Sequence, residues 1–295
     1  FRGSKQYICT TSGRSLLALR LGKISITTYD YHEPFVLNGV KVSFHPAGHI
    51  LGSSQVRIEL DGEVWVVSGD YKRELDASCE PFEIVPCHTF VTEATFGTPA
   101  YTWRKDVDLG AEIYTWWQQN KAAGLNSVIF AYSLGKSQRI LNLLHAFAKE
   151  PIYCHQATEK INQCYRAANI QLADTIDINT VADDEILKEK LIITPSAFMQ
   201  SPKAVILGKK YKTAFASGWV ARGFHENDHG FLISDHADWN DLVETVRATG
   251  AREVYVQHRG KGGALIKKLK ALGIKAYPDT RLLLKQPNQR DLFYM

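Results

Sequence analysis

No apolar run in these 295 residues approaches the roughly 18 that a membrane span needs, and no signal peptide is visible. A membrane protein is therefore not expected, and a cytoplasmic chain is. The five cysteines (Cys9, Cys79, Cys87, Cys154, Cys164) are scattered, odd in number and form no C-x-x-C pair. That pattern argues against a disulfide framework and for reduced thiols acting as small buried apolar residues. Internal repeats, low-complexity tracts and Pro/Ser-rich linkers are missing, as is an aromatic-rich recognition module of the RRM kind. Neither sign of charge dominates: 35 Lys and Arg against 31 Asp and Glu leave +4, which is compatible with a polyanionic partner without establishing one. With 45% hydrophobic and 22% charged residues the chain reads as globular, and its length favours two domains or one large one.

What is present is β-rich at both ends. Asn38-Gly39 between FVL and VKVSF, and Asp61-Gly62 between VRIEL and EVWVV, read as type I′ hairpins, because these pairs tolerate the positive φ that the turn demands. From about Asp106 the texture changes. A helix over 109–123, the strand SVIFAY, a helix over 136–149, the strand PIYCH, a helix over 159–169 and the strands LIITP and TAFAS alternate as βαβ crossovers do, which predicts a parallel sheet. FLISDH, a helix over 240–249 stopped at Gly250, EVYVQH, a basic helix near 264–272 and KAYP then return to the first texture. The simplest organisation is a discontinuous core, 1–98 and 230–295, with an α/β unit over 99–229 inserted in it.

The chemistry concentrates at predicted strand ends. PAGHILGSS and VWVVSGD deliver His49 and Asp70 from adjacent strands, and ISDHADW and VYVQHRG each add a histidine, His236 and His258, after a β-branched run. Neutral imidazole and carboxylate are the ligand set of hydrolytic zinc, and a rigid sheet holds such ligands better than a mobile loop. Gly48 and Gly52 flank His49 and allow a close backbone approach. The remaining histidines, His32, His45, His88, His145, His225 and His229, read as hydrogen-bonded structural residues. SLGKSQR invites a P-loop reading that fails, since Phe130 stands where the first glycine belongs. A strand, a short turn and a helix start remain, a geometry that offers backbone amides to an anion, with Lys136 and Arg139 adding charge. The competing reading is a plain solvated helix start. Ser217-Gly218-Trp219 is a similar strand-end turn.

In that order, HPAGHILGSSQVRIE, VVSGDYKRELD, PFEIVPCHTFVTEATFGTP, FAYSLGKSQRIL, FASGWV and ISDHADW resemble the signature blocks of the metallo-β-lactamase superfamily, and within it of the β-CASP nucleases, over nearly the whole chain. They are most similar to the bacterial DNA ligase-associated exonucleases. The resemblance implies an α/β fold, a metallo-β-lactamase αββα sandwich with an inserted α/β β-CASP cap. It also implies two zinc ions, with manganese as an alternative. His49, Asp70 and His258 are then metal ligands, and Glu93 and His236 are an acidic residue and its histidine partner acting as general acid. Ser133, Lys136, Arg139 and Ser217 become phosphate or nucleic-acid contacts. The implied substrate is nucleic acid, DNA favoured over RNA, with DNA ligase and helicase as partners in repair.

One departure is large. The family's His-x-His-x-Asp-His motif, which supplies most of its metal ligands, is absent, and the sequence begins at Phe1 rather than Met. The reading is of a fragment that lacks the first strands and is inactive alone; the rival is a natural pseudo-enzyme. Three functions follow: a DNA exonuclease, an RNA 3′-end-processing nuclease that shares these motifs, or a non-catalytic nucleic-acid-binding scaffold.

Overall fold

Two tight turns organise the first large sheet. A computed structural model describes residues 3–105, 107–182, 185–223, 226–257 and 262–284. It begins with a small parallel pair, β1 (Tyr7–Thr10) and β2 (Ile26–Tyr29), joined through α1 (Arg14–Leu21). A meander follows: β3 (Phe35–Leu37), β4 (Val40–Pro46), β5 (Ser54–Leu60) and β6 (Glu63–Val67) pair antiparallel in sequence. Asn38 and Asp61 take φ of 50° and 49°, each followed by a glycine at 81°, which is the I′ geometry the sequence predicts. β7 (Thr89–Thr92) then runs parallel to β6.

The chain next enters a second sheet. α2 (Leu109–Ala122), β8 (Asn126–Phe130), α3 (Lys136–Leu144), β9 (Ile152–Cys154), α4 (Gln156–Ala167), β10 (Thr175–Asp177), β11 (Leu191–Thr194), β12 (Tyr211–Ala216) and β13 (His229–Phe231) build a six-stranded parallel sheet of order β10-β9-β11-β8-β12-β13. β8 and β11 are buried at every residue, as strands covered on both faces must be. After α5 (Trp239–Thr249), the strands β14 (Glu253–Val256) and β15 (Lys275–Pro278), with α6 (Gly262–Ala271) between them and α7 (Thr280–Leu284) after, return to the first sheet. They complete a seven-stranded order, β15-β14-β7-β6-β5-β4-β3.

Several local details differ from the expected ones. α4 starts at Gln156 rather than Glu159, because the His155 ring accepts a hydrogen bond from the Ala157 amide and caps the helix three residues earlier. β13 keeps 229–231 with the inserted sheet, pairing with β12, so the predicted strand FLISDH is a three-residue strand followed by an irregular segment. Among the described residues, no helix is long and apolar enough to cross a membrane.

Each sheet has its own core: Val66, Phe90, Leu242, Val254 and Leu265 under the first, Trp117, Ile129, Ile140, Leu144 and Ile193 around the second. Buried ion pairs lie at the join between them, beside apolar contacts such as Phe96 on Trp219. Arg139 of α3 pairs with Glu74 at 2.9 Å and Asp76 at 3.5 Å and donates to the Ser234 carbonyl. Lys72 bonds Asp76 at 2.7 Å, and Lys136 bonds Asp235 at 2.8 Å. Lys72 is 1% exposed and Asp76 6% by side chain, so solvent screens this cluster little. Burial alone would raise the Asp76 carboxyl, but Lys72, Arg139 and the Ser78 hydroxyl hold it down at about 2.

Two outcomes are expected. A depressed folded-state carboxyl gives stability that is present above the unfolded-chain value and lost as pH falls through the folded one. Asp76 should thus contribute on the order of 2 kcal/mol at neutral pH, lost between about pH 4 and pH 2. Denaturant titrations of the protein and of Asp76→Asn across that range should show a shallower acid slope in the variant; equal slopes would refute the assignment. At Gly48, φ is 70° and an added Cβ would run into the Lys72 carbonyl. Gly48→Ala should therefore cost more than about 1 kcal/mol in thermal unfolding, whereas an unchanged melting temperature would contradict the left-handed backbone there.

Candidate active site

β4, β6 and β7 point the same way: β4 and β6 are each antiparallel to β5, and β7 is parallel to β6. Their carboxyl ends therefore open at one edge of the sheet. The turn after β4 carries His49, the residues after β6 end in Asp70, and Glu93 follows β7 directly. His236 comes from the irregular segment between β13 and α5. Residues up to 187 positions apart in the chain thus meet at one place, since the ligand atoms of His49, Asp70 and His236 all lie within about 4.8 Å of one another.

Hydrogen bonds fix how each side chain faces the site. His49 donates from Nδ1 to the Asp235 carbonyl at 2.8 Å, because a carbonyl can only accept. Its Nε2 faces Asp70 Oδ2 at 3.9 Å. An outer hydrogen bond that sets tautomer and ring orientation is what a metal-ligating histidine usually has. The donor set and this fixed tautomer fit a divalent ion of the zinc or manganese kind, held by His49 and Asp70 with His236 within reach.

His236 is held differently. Its Nδ1 lies 2.9 Å and 3.1 Å from the two carboxylate oxygens of Glu93. Glu93 is 2% exposed and also accepts from the Tyr71 amide at 2.7 Å and the Thr95 amide at 3.3 Å. Burial would raise the Glu93 carboxyl, yet the His236 charge and these hydrogen bonds hold it below the ordinary carboxylate range. Burial would lower the His236 ring, but Glu93, helped by Asp70 and Asp235, moves it above the ordinary imidazole value. The two shifts agree and describe an imidazolium–carboxylate pair. An aromatic wall of Phe96, Tyr101, Trp103 and Trp219 closes one side, with the Phe96 ring 5.9 Å from that of His236.

Where the sequence suggested phosphate contacts, the structure turns charge inward. Lys136 is 4% exposed and bonded to Asp235, and Arg139 is 7% exposed among Glu74, Asp76 and the Ser234 carbonyl. The helix-start amides are also used: Gly135 donates to Gln138 Oε1 at 2.8 Å. At α3 both cations are thus engaged by carboxylates, Lys136 by Asp235 and Arg139 by Glu74 and Asp76. The buried Ser217 side chain accepts from the Trp219 amide and caps the turn after β12. Ser133 is half-buried at the end of β8, its carbonyl accepting from Gln138 Nε2. His258 lies outside the described residues. Asp235 escaped notice as a positioning residue because it works through its backbone carbonyl, which any residue could supply. Its place in ISDHADW was the sole signal.

No protein-family model matches the chain. It is similar to a Probable DNA ligase of Opitutus terrae, 30% identical over 246 residues, which is 80% of this chain and 23% of that protein. It is also similar to Endoribonuclease YSH1 of Eremothecium gossypii, 32% identical over 126 residues, and to that of Saccharomyces cerevisiae, 30% identical over 126 residues. Both of these matches cover 41% of this chain and 16% of the relative. The chain thus spans less than a quarter of the length of these curated relatives. Together these likenesses support a relationship to nucleases of the metallo-β-lactamase and β-CASP kind.

Proposed function

We propose that the chain acts within a metal-dependent nuclease, a metallo-β-lactamase sandwich with a β-CASP cap, hydrolysing phosphodiester bonds between the two sheets. The convergence of His49 and Asp70 as candidate ligands with the His236–Glu93 pair beside them carries this reading. Zinc is the proposed metal, with manganese as an alternative, and His258 is a proposed ligand to a second ion. The likeness to a DNA ligase favours a DNA exonuclease working with DNA ligase and helicase in repair. The endoribonuclease likeness favours the second reading, RNA 3′-end processing.

When bound, the metal would supply a water of lowered pKa and neutralise charge on the phosphate. His49 contributes Nε2, kept in position through the Asp235 carbonyl. Glu93 engages Nδ1 of His236 and favours the charged ring, so the other nitrogen can give its proton to the departing 3′ oxygen. The partners separate His236 from His49 in role: a ring paired with a buried carboxylate serves as an acid, and a ring held through a backbone carbonyl serves as a ligand. Ser133 and Ser217, at strand ends of the parallel sheet, are the proposed phosphate contacts. Lys136 and Arg139 hold the inserted unit against the first sheet.

His236→Ala in the full-length protein should lower single-turnover cleavage by about 10²–10⁴-fold with metal content near normal. Asp70→Ala should lose both cleavage and metal. Glu93→Gln should resemble His236→Ala, and the double variant should fall far short of additivity, because the pair acts as a unit. Cleavage assays on labelled DNA and RNA beside elemental analysis check this; an active His236→Ala protein would sink the acid assignment. Stripping with a chelator should abolish cleavage, and zinc or manganese should restore it. Undiminished activity in verified metal-free protein would overturn the metal-dependent reading itself.

A further inference from the structure

A second group of metal-ligating side chains lies apart from the residues assigned above. His32, His45 and Glu83 bring their ligand atoms within about 4.8 Å of one another. His32 Nε2 is 3.4 Å from Glu83 Oε2, and His45 Nδ1 is 3.5 Å from Glu83 Oε1. We propose that His32, His45 and Glu83 form a separate binding site for one divalent transition-metal ion of the zinc class, which fastens the segment after β2 and the segment before β7 to the end of β4.

The separations match those of ligands around one ion. Ligand atoms bound at about 2.1 Å in a tetrahedron lie about 3.4 Å apart. Hydrogen-bonded pairs of the same atoms sit nearer, at about 2.7–3.2 Å. His45 Nδ1 is buried and, among the described residues, has no hydrogen-bond partner. The other nitrogen of that ring is taken, since Ser43 Oγ lies 3.1 Å from Nε2. That leaves Nδ1 as the ring nitrogen directed at the Glu83 carboxylate, the position a shared metal ion would need.

The backbone holds all three ligands in advance. His45 sits in β4, register-paired with Gln55. The Glu83 amide donates to the Pro46 carbonyl, and its own carbonyl accepts from the buried Gln55 side chain at 2.6 Å. His32 takes φ of 66°, uncommon for a residue with a side chain, and its amide donates to the Phe44 carbonyl at 2.8 Å. Its ring stands edge-on to that of His45, centroids 4.9 Å apart. The His32 and Glu83 side chains are 56% and 40% exposed, which leaves an entry path and room for a water in the fourth position. Arg57, whose charge is felt at His45, is held by Glu59 at 2.7 Å.

The test is zinc titration by calorimetry of chelator-stripped protein, in an Asp70→Ala background so that the candidate active site does not contribute. One zinc equivalent should bind, and thermal unfolding should shift upward with zinc. His32→Ala, an exposed change with little risk to folding, and Glu83→Gln, which keeps shape, should each abolish that equivalent and the shift. Persistence of the equivalent in either variant, or no zinc binding in the Asp70→Ala background, would overturn the proposal.

Discussion

Everything at the site depends on a small number of charges kept out of water where the two sheets meet. Lys72, Asp76, Arg139 and Glu74 form one cluster, and Lys136 with Asp235 a second pair. Buried ions are costly to desolvate, and their mutual attraction repays the cost only when the geometry is good and the remaining hydrogen bonds are made. An apolar interface of equal area would hold the sheets together at many relative positions. Matched charges add a directional requirement to that join, and the site needs a defined position, because His49 and His236 come from opposite sides of the inserted unit in sequence.

The strand directions supply the rest. Three strands that point alike bring their ends to one edge, so a histidine, an aspartate and a glutamate separated by dozens of residues arrive together without any long-range sequence signal. Glu93 gains its properties from this position. Fully enclosed, it would favour the neutral form, and the amides of Tyr71 and Thr95 and the ring of His236 reverse that preference. The carboxylate is thus an anchor whose charge is maintained by its neighbours.

Much of this was legible in the chain. The hairpins were, because Asn-Gly and Asp-Gly act within four residues. The alternation of helix and strand from 109 to 216 was, because its periods are local. His49, Asp70 and His236 could be singled out because they lie at predicted strand ends, and Glu93 through the resemblance of its segment to the β-CASP blocks. Partnership was not legible. Lys136 and Arg139 read as free cations since nothing in their own neighbourhood announces Asp235, Asp76 or Glu74. His32, His45 and Glu83 sit in three segments with no common spacing; the two histidines read as structural, and Glu83 carries no signal of its own. The short strands β10 and β13 have too few residues to carry a periodic signal, and are defined by the neighbours they pair with.

Asp235 has two attachments that pull in different directions. Its carboxylate is tied to Lys136, the first residue of α3, while its carbonyl is tied to the ring of His49 on the other sheet. A single peptide unit therefore works as a rocker arm between the inserted unit and a ligand of the site. The docking of one sheet and the aim of a side chain on the other thus share one residue as their common support.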